Sequence, residues 1–327
     1  MIEFWTTALA LTLALYVILD GFDLGVGIIF GANRNEEKKR YILNSISPIW
    51  DGNETWLVLT ASILFGAFPI VYSLVLSAFY LPIIILLAAL IFRGVAFEFR
   101  EKSGNRRWFW DAGFSIGSLV ASFVQGAAVG AVIEGIPNEG GRFSGTALGW
   151  FTPFSALCGI GLCLGYTLLG ASWLVKKCEG DVRDQAYKLI PRLLLGVLIF
   201  LMIAFAASLV MELPVMKRWL DRPILVLFPL MGLVGCGLIV RGVRLRKDSW
   251  PFSGSVLLFL SAFGTLAVSF LPYMIPFSIT IEQAAAPPSS LSFMFWGAGL
   301  FVMPLTLIYT VAVYWLFKGK TESGGYH

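Results

Sequence analysis

The stretch LYVILDGFDLGVGIIFG, residues 15–31, sits in an apolar run from Phe4 to Phe30 whose only charged residues are Asp20 and Asp23. A helix of roughly 20 residues crosses the ~30 Å hydrocarbon core of a bilayer, so this run is long enough to span. It is too long for a signal-peptide core, and no basic residue precedes it. It reads as a retained first span. A membrane helix that carries two carboxylates three residues apart, beside Gly21, Gly25 and Gly27, needs a reason for them.

The rest of the chain has the same character. Of its 327 residues, 57% are hydrophobic and 13% charged, against about 25% charged in a soluble domain. No segment alternates apolar and polar residues as the strands of a membrane β-barrel do. Helices satisfy their own backbone polar groups in lipid. The sequence therefore predicts an all-α integral membrane protein with nine transmembrane helices, at about 4–31, 50–73, 76–99, 112–133, 151–175, 190–211, 222–241, 252–275 and 292–317. Tyr16 to Pro48 and Tyr166 to Pro191 share a pattern of tyrosine, small and apolar residues, a charged loop and proline. That echo suggests two four-helix bundles, 1–135 and 150–275, plus the extra helix 292–317.

Basic residues set the orientation. The odd-numbered loops and the C-terminal tail hold 19 of the 24 Lys and Arg. The even-numbered loops hold Arg142, Lys217, Arg218 and Arg222, and Arg93 alone lies well inside a span, Arg192, Arg222 and Arg241 being counted with the loops they border. Such a bias marks the cytoplasmic side, which puts the N-terminus outside and the C-terminus in the cytoplasm.

With that orientation Asp20, Asp23, Asp51, Glu54, Arg93, Glu98 and Asp111 all fall toward one leaflet, the cytoplasmic one. A charge at the bilayer centre costs at least ~2.5–3.5 kcal/mol, so such groups face the bundle interior, pair, or line a water path. Asp20 and Asp23, at i and i+3, are near neighbours on one helix face. Two carboxyls this close in apolar surroundings resist ionising together, which suits proton exchange near neutral pH. The favoured reading is a hydrated cluster built around Asp20, Asp23 and Asp51 and fed with protons from the cytoplasm. Each residue also has a plainer use. Arg93, with Asp23 as its preferred partner, would be an ion pair locking spans one and three. Asp51 and Asp111 would sit at helix N-termini, where acids are favoured. Glu98 and Arg100 would be surface charges.

Other motifs narrow the class. The only histidine is His327, so no span offers the imidazole by which membrane redox proteins usually hold haem. Cys158, Cys163, Cys178 and Cys236 form no CxxC pair and read as packing residues. There is no P-loop, strand-borne GxGxxG or HExxH, which speaks against an ATPase, a nucleotide-dependent enzyme or a zinc protease. Gly27 and Gly31, Gly126 and Gly130, and Gly161 and Gly165 have GxxxG spacing, read as helix packing within this chain.

Five segments, DGFDLGVG (20–27), SPIWDGNETWLV (47–58), FPIVY (68–72), LIFRGVAFEFR (90–100) and WDAGFSIGS (110–118), resemble subunit II of the cytochrome bd quinol:oxygen oxidase, in that family's order. The resemblance implies a haem-free, multi-pass subunit of a bacterial cytoplasmic (inner) membrane, paired with subunit I. That partner would hold the haem b and haem d-type centres and the site for quinol, the substrate of the complex. Asp20 and Asp51 would lie on a proton pathway toward the partner's haems. Asp23, Arg93 and, more weakly, Asp111 would form a buried charge network at the subunit interface, covered by the second protein and internal water. The resemblance leaves room for a structural quinone in this subunit and for small single-helix subunits beside it. Membrane lipids are expected around it, and no nucleic acid. Intramembrane acids with an arginine also suit a proton-coupled secondary transporter, although transporter sites lie near the midplane rather than toward one leaflet. A structural assembly factor is a third reading.

Overall fold

A computed structural model describes residues 1–211, 213 and 222–321; Lys217, Arg218 and His327 lie outside the described residues. The helices are α1 (Ile2–Ala32), α2 (Glu36–Asn44), α3 (Trp50–Ala67), α4 (Pro69–Ala78), α5 (Tyr80–Phe99), α6 (Arg107–Glu134), α7 (Pro153–Lys177), α8 (Gly180–Val210), α9 (Leu227–Arg244), α10 (Ser249–Phe270), α11 (Pro288–Met294) and α12 (Val302–Leu316), with shorter turns between them. Among the described residues eight segments are long and apolar enough to cross a membrane: α1, α5 to α10, and the composite last span Pro288–Leu316.

The departures from the predicted spans have local causes. The second span is not one helix over 50–73. It breaks at Phe68, because Pro69 has no N–H to continue α3 and instead opens α4, where that bond is not needed. α3 itself begins with Asp51, Asn53 and Glu54, too polar for the apolar criterion the other eight meet. α2 lies in the first loop, where no helix was predicted. The Asn35 side chain caps it by accepting from Lys38 N at 3.0 Å, and Glu36 and Glu37 stand at its positive end. α8 starts at Gly180 rather than near 190 and carries Pro191 inside it. The last span is interrupted by a π-helical turn at Phe295–Gly299.

α1 occupies the centre, packed on α3, α6 and α7. In α1 and in α7, 61% of the most apolar stretch is buried, against 11% in the last span. The tightest approach is between α1 and α7. A Cβ on Gly25 would stand 1.7 Å from the Tyr166 carbonyl oxygen, and one on Gly170 would stand 2.5 Å from Gly25 backbone. The GxxxG pairs also pack inside the chain: Gly27 and Gly31 on Ser118 and Ser115, Gly126 and Gly130 on Cys158, Gly161 on Phe200 and Gly165 on Phe259.

The two ends of the bundle differ chemically. At one end the odd-numbered loops and the tail are tied together by Lys38–Asp181 (3.0 Å), Lys39–Asp111 (2.7 Å) and Lys320–Asp248 (2.6 Å). This is the basic end. At the other end lie two short antiparallel strand pairs, Asn138–Glu139 with Arg142–Phe143 and Tyr273–Ile275 with Ile279–Thr280. There Trp5 Nε1 donates to the Leu291 carbonyl (3.1 Å) and Ala286 N to the Ala67 carbonyl (2.8 Å).

Candidate functional site

The acids of α1 are buried by the chain's own helices. Asp20 and Asp23 are each 0% exposed and Arg93 is 1% exposed, with no second protein present. The expectation that a partner covers the two aspartates is corrected: α3, α5 and α7 do so, and the glycines beside them admit α7 of the same chain.

Arg93, on α5, donates from Nη1 to Asp20 Oδ1 (3.0 Å) and to Glu54 Oε1 (2.8 Å). Asp23 is therefore not its direct partner, contrary to the sequence reading. Asp23 Oδ2 accepts from Asn53 Nδ2 at 2.7 Å. Asn53 Nδ2 also reaches the Leu19 carbonyl (3.3 Å), and Asn53 Oδ1 accepts from the Tyr314 hydroxyl of α12 (2.9 Å). Asp23 Oδ1, Arg93 Nε and Nη2 and Trp56 Nε1 are buried without a hydrogen-bond partner among the described residues. Such atoms usually meet ordered water. The Glu54 side chain is 24% exposed, which makes it the edge of the cluster.

Asp51 is not part of this buried group. It lies exposed in the first turn of α3, with Ile49 at the N-cap and no side-chain cap bond. Glu54, one turn further on, takes the place expected for Asp51. The polar seam also continues along α1 beyond the two acids. Tyr16 accepts from Gln125 Nε2 (2.8 Å), Gln125 Oε1 accepts from Tyr166 (2.9 Å), and Thr60 donates to Thr12 (3.0 Å). Thr12, Tyr16, Asp20 and Asp23 share one face by their spacing of four, four and three. That spacing was readable in the sequence and was missed, as were Asn53, Gln125 and Tyr314.

Asp111 belongs to a separate group at the basic end. Arg100 Nε reaches Asp111 Oδ1 at 2.5 Å, Arg100 Nη2 reaches Glu36 at 2.7 Å, and Arg100 Nη1 reaches Glu101 at 3.1 Å. Lys39 takes the other Asp111 oxygen, and both Arg100 and Lys39 lie over the Phe30 ring at 5.5 and 5.3 Å. Asp111 is thus an ion-pair centre and not a helix cap, and Arg100, 1% exposed, is not a surface charge. Glu98 is exposed, as expected.

A third group is formed by the tail. Lys177 Nζ donates to the carbonyls of Phe317 and Gly319, and Thr321 N donates to the Lys177 carbonyl (2.8 Å). Lys320 Nζ reaches Asp248 (2.6 Å) and the Val175 and Cys178 carbonyls (3.0 and 3.1 Å). Partial burial raises the Asp248 carboxyl. Hydrogen bonds from Lys320 and Tyr187, with the charge on Arg183, outweigh that and hold it below the ordinary 3.8.

Among the described residues no group of three or more His, Cys, Asp or Glu is placed to hold a metal. Eight long apolar segments among the described residues, and a buried guanidinium shared between carboxylates near one end, define a polytopic membrane protein with charge in its interior. More specifically, the chain belongs to the family of cytochrome bd terminal oxidase subunit II, whose sequence profile matches residues 1–317. It is 31% identical over 357 residues to "Cytochrome bd-I ubiquinol oxidase subunit 2" of Escherichia coli (strain K12), covering 97% of this chain and 94% of that one. It is 30% identical over 334 residues to "Cytochrome bd ubiquinol oxidase subunit 2" of Bacillus subtilis (strain 168), covering 98% and 96%. Its fold matches a chain of the bd oxidase from Geobacillus thermodenitrificans with a TM-score of 0.73, at 16% identity, over 96% of this chain and 99% of that one. The protein is a subunit of a respiratory oxidoreductase in a bacterial inner membrane.

Proposed function

We propose that this chain is the haem-free second subunit of a quinol:oxygen oxidase, that it supports a haem-bearing first subunit, and that it conducts protons toward that partner from the basic end, which is the cytoplasmic face. Haem b and haem d-type centres and the quinol site belong to the partner. One observation carries the proton role. Asp20 and Glu54 share one guanidinium close to the basic end, Asp23 stands beside them on Asn53, and Glu54 alone of the three is partly exposed. Glu54 is the mouth, with exposed Asp51 outside it drawing in protons. Asp20 and Asp23 pass them inward, through water bound to their unpaired neighbours. Arg93 holds Asp20 and Glu54 within reach of each other. The Asp111 group locks α2, α5 and α6.

The distribution of Lys and Arg supports the orientation. The packing supports two repeated units. In each, the first helix packs on the second and the fourth, and the third packs on the fourth: α1 on α3 and α6 and α5 on α6, then α7 on α8 and α10 and α9 on α10. Membership of the oxidase family disfavours a secondary transporter.

The test is oxygen consumption by the purified complex carrying Asp20→Asn or Glu54→Gln, with haem absorbance measured on the same sample. Turnover at least about tenfold slower with haem retained is expected for a lost proton carrier. Unchanged turnover at full haem content defeats the proton role and leaves only a structural one.

A further inference from the structure

The last span is the least buried, yet it sends one polar group into the centre. The Tyr314 hydroxyl donates to Asn53 Oδ1 (2.9 Å), and this fixes which end of the Asn53 amide faces Asp23. With its oxygen held by Tyr314, the amide turns its NH2 to Asp23 Oδ2 and to the Leu19 carbonyl. An N–H donor at a carboxylate oxygen favours the ionised acid, whereas a carbonyl there favours the protonated one. Without the phenol, the amide keeps its orientation only through the Leu19 carbonyl, at 3.3 Å, and Asp23 itself.

Tyr314 lies three residues before the segment that docks on α7. Phe317 and Gly319 supply carbonyls to Lys177, Thr321 accepts from the Tyr41 hydroxyl (3.0 Å), and Lys320 binds Asp248. Trp173, one turn before Lys177, stacks on Phe22 at 4.3 Å and meets Tyr314 edge-on at 6.2 Å. The last span as a whole is largely exposed, with 11% of its most apolar stretch buried.

We propose that Tyr314 is a positioning residue for Asp23, acting through Asn53, and that the docked segment Phe317–Thr321 keeps it in register. The idea rests on the proton-conducting reading above. It adds a residue from the far end of the chain and a clasp outside the membrane to the acid cluster. The charged and titratable groups facing Asp23 are Asp20 on its own helix, Glu54 on α3, Arg93 on α5 and Tyr314 on α12.

The test uses the intact oxidase at matched haem content, with turnover followed as a function of pH. Tyr314→Phe keeps the ring and removes the hydroxyl. Its pH profile is expected to shift by about half to one pH unit, the scale of one net hydrogen bond. Lys320→Ala, which loosens the clasp without touching the span, is expected to shift it in the same direction by less. Asp23→Asn, measured alongside, is expected to abolish the difference that Tyr314→Phe makes. A Tyr314→Phe profile that coincides with wild type overturns the proposal, as does a shift that persists in the Asp23→Asn background. A shift with Tyr314→Phe and none with Lys320→Ala overturns the clasp. These outcomes are separate from the Asp20 and Glu54 variants, whose turnover judges the proton path itself.

Discussion

Arg93 and Arg100 stand about two turns apart along the line of α5, and both bury their guanidinium groups. Arg100 uses all three of its nitrogens, on Asp111, Glu36 and Glu101, and Asp111 spends its second oxygen on Lys39. Arg93 uses one nitrogen for both Asp20 and Glu54, leaving Nε and Nη2 unpartnered among the described residues, and a further acid, Asp23, stands close by on an amide. The first group is saturated and close to charge balance, as suits a joint between α2, α5 and α6. The second has more carboxyls than bases and spare bonding capacity. A group that must take up and release protons needs that slack, because a fully paired carboxylate has no reason to change state.

If this contrast is right, variants at the two arginines should fail differently. The largest effect is expected for Arg93→Ala. It strands Asp20 without its buried partner, and removing one side of a buried pair costs about 3–5 kcal/mol. The haem absorbance of the purified complex should fall with it; normal haem content in this variant would show that the pair is dispensable. Next, Asp20→Asn and Glu54→Gln should keep haem and lose turnover, by at least about tenfold. Arg100→Ala should do the reverse. Stability drops by about 2 kcal/mol, the scale of hydrogen bonds to a charged group, read as an earlier thermal transition, while turnover per assembled complex stays at the wild-type level. Asp51→Asn, at an exposed position, should slow turnover by about twofold or less at low salt, with the difference vanishing as salt screens it.

The smallest effect concerns acid. Asp248 sits below its ordinary 3.8 when folded, so its contribution to the clasp is complete above that value and is lost as pH falls through the lower folded one. Hydrogen exchange at the Thr321 amide should stay slow at pH 5 and rise below about pH 4. An Asp248→Asn variant should exchange at a rate independent of pH in that window once the intrinsic rate is divided out.

Much of this architecture was open to reading from the residues. Bilayer-length apolar runs announce themselves, and the acids of α1 stand out because everything around them is oily. The pairing was less accessible. Asp20 and Asp23 share a face, and only the way α5 crosses α1 decides which of them meets Arg93. α3 gives the clearest case. Its buried face is Asn53, Trp56, Thr60, Ile63 and Ala67, and its exposed face Asp51, Thr55, Val58, Ser62 and Phe65. The buried face carries one strongly polar residue, one Thr and three apolar residues, and the exposed face one strongly polar residue, one Thr, one Ser and two apolar residues. Hydropathy therefore cannot say which turns inward, and choosing Asp51 over Glu54 was a matter of helix rotation. Tyr314 lay beyond reach for another reason: its partner is 261 positions away, and a tyrosine near the end of a last span looks like an interfacial anchor.

Where α1 crosses α7, backbone meets backbone, and no side chain separates Gly25 from Gly170. A single methyl at either place would act as a wedge, tipping the acid-bearing length of α1 against α3 and α5. The spacing among Asp20, Glu54 and Arg93 is thus calibrated from behind, by a helix that supplies none of the three. Bare peptide is the gauge that keeps them at working distance.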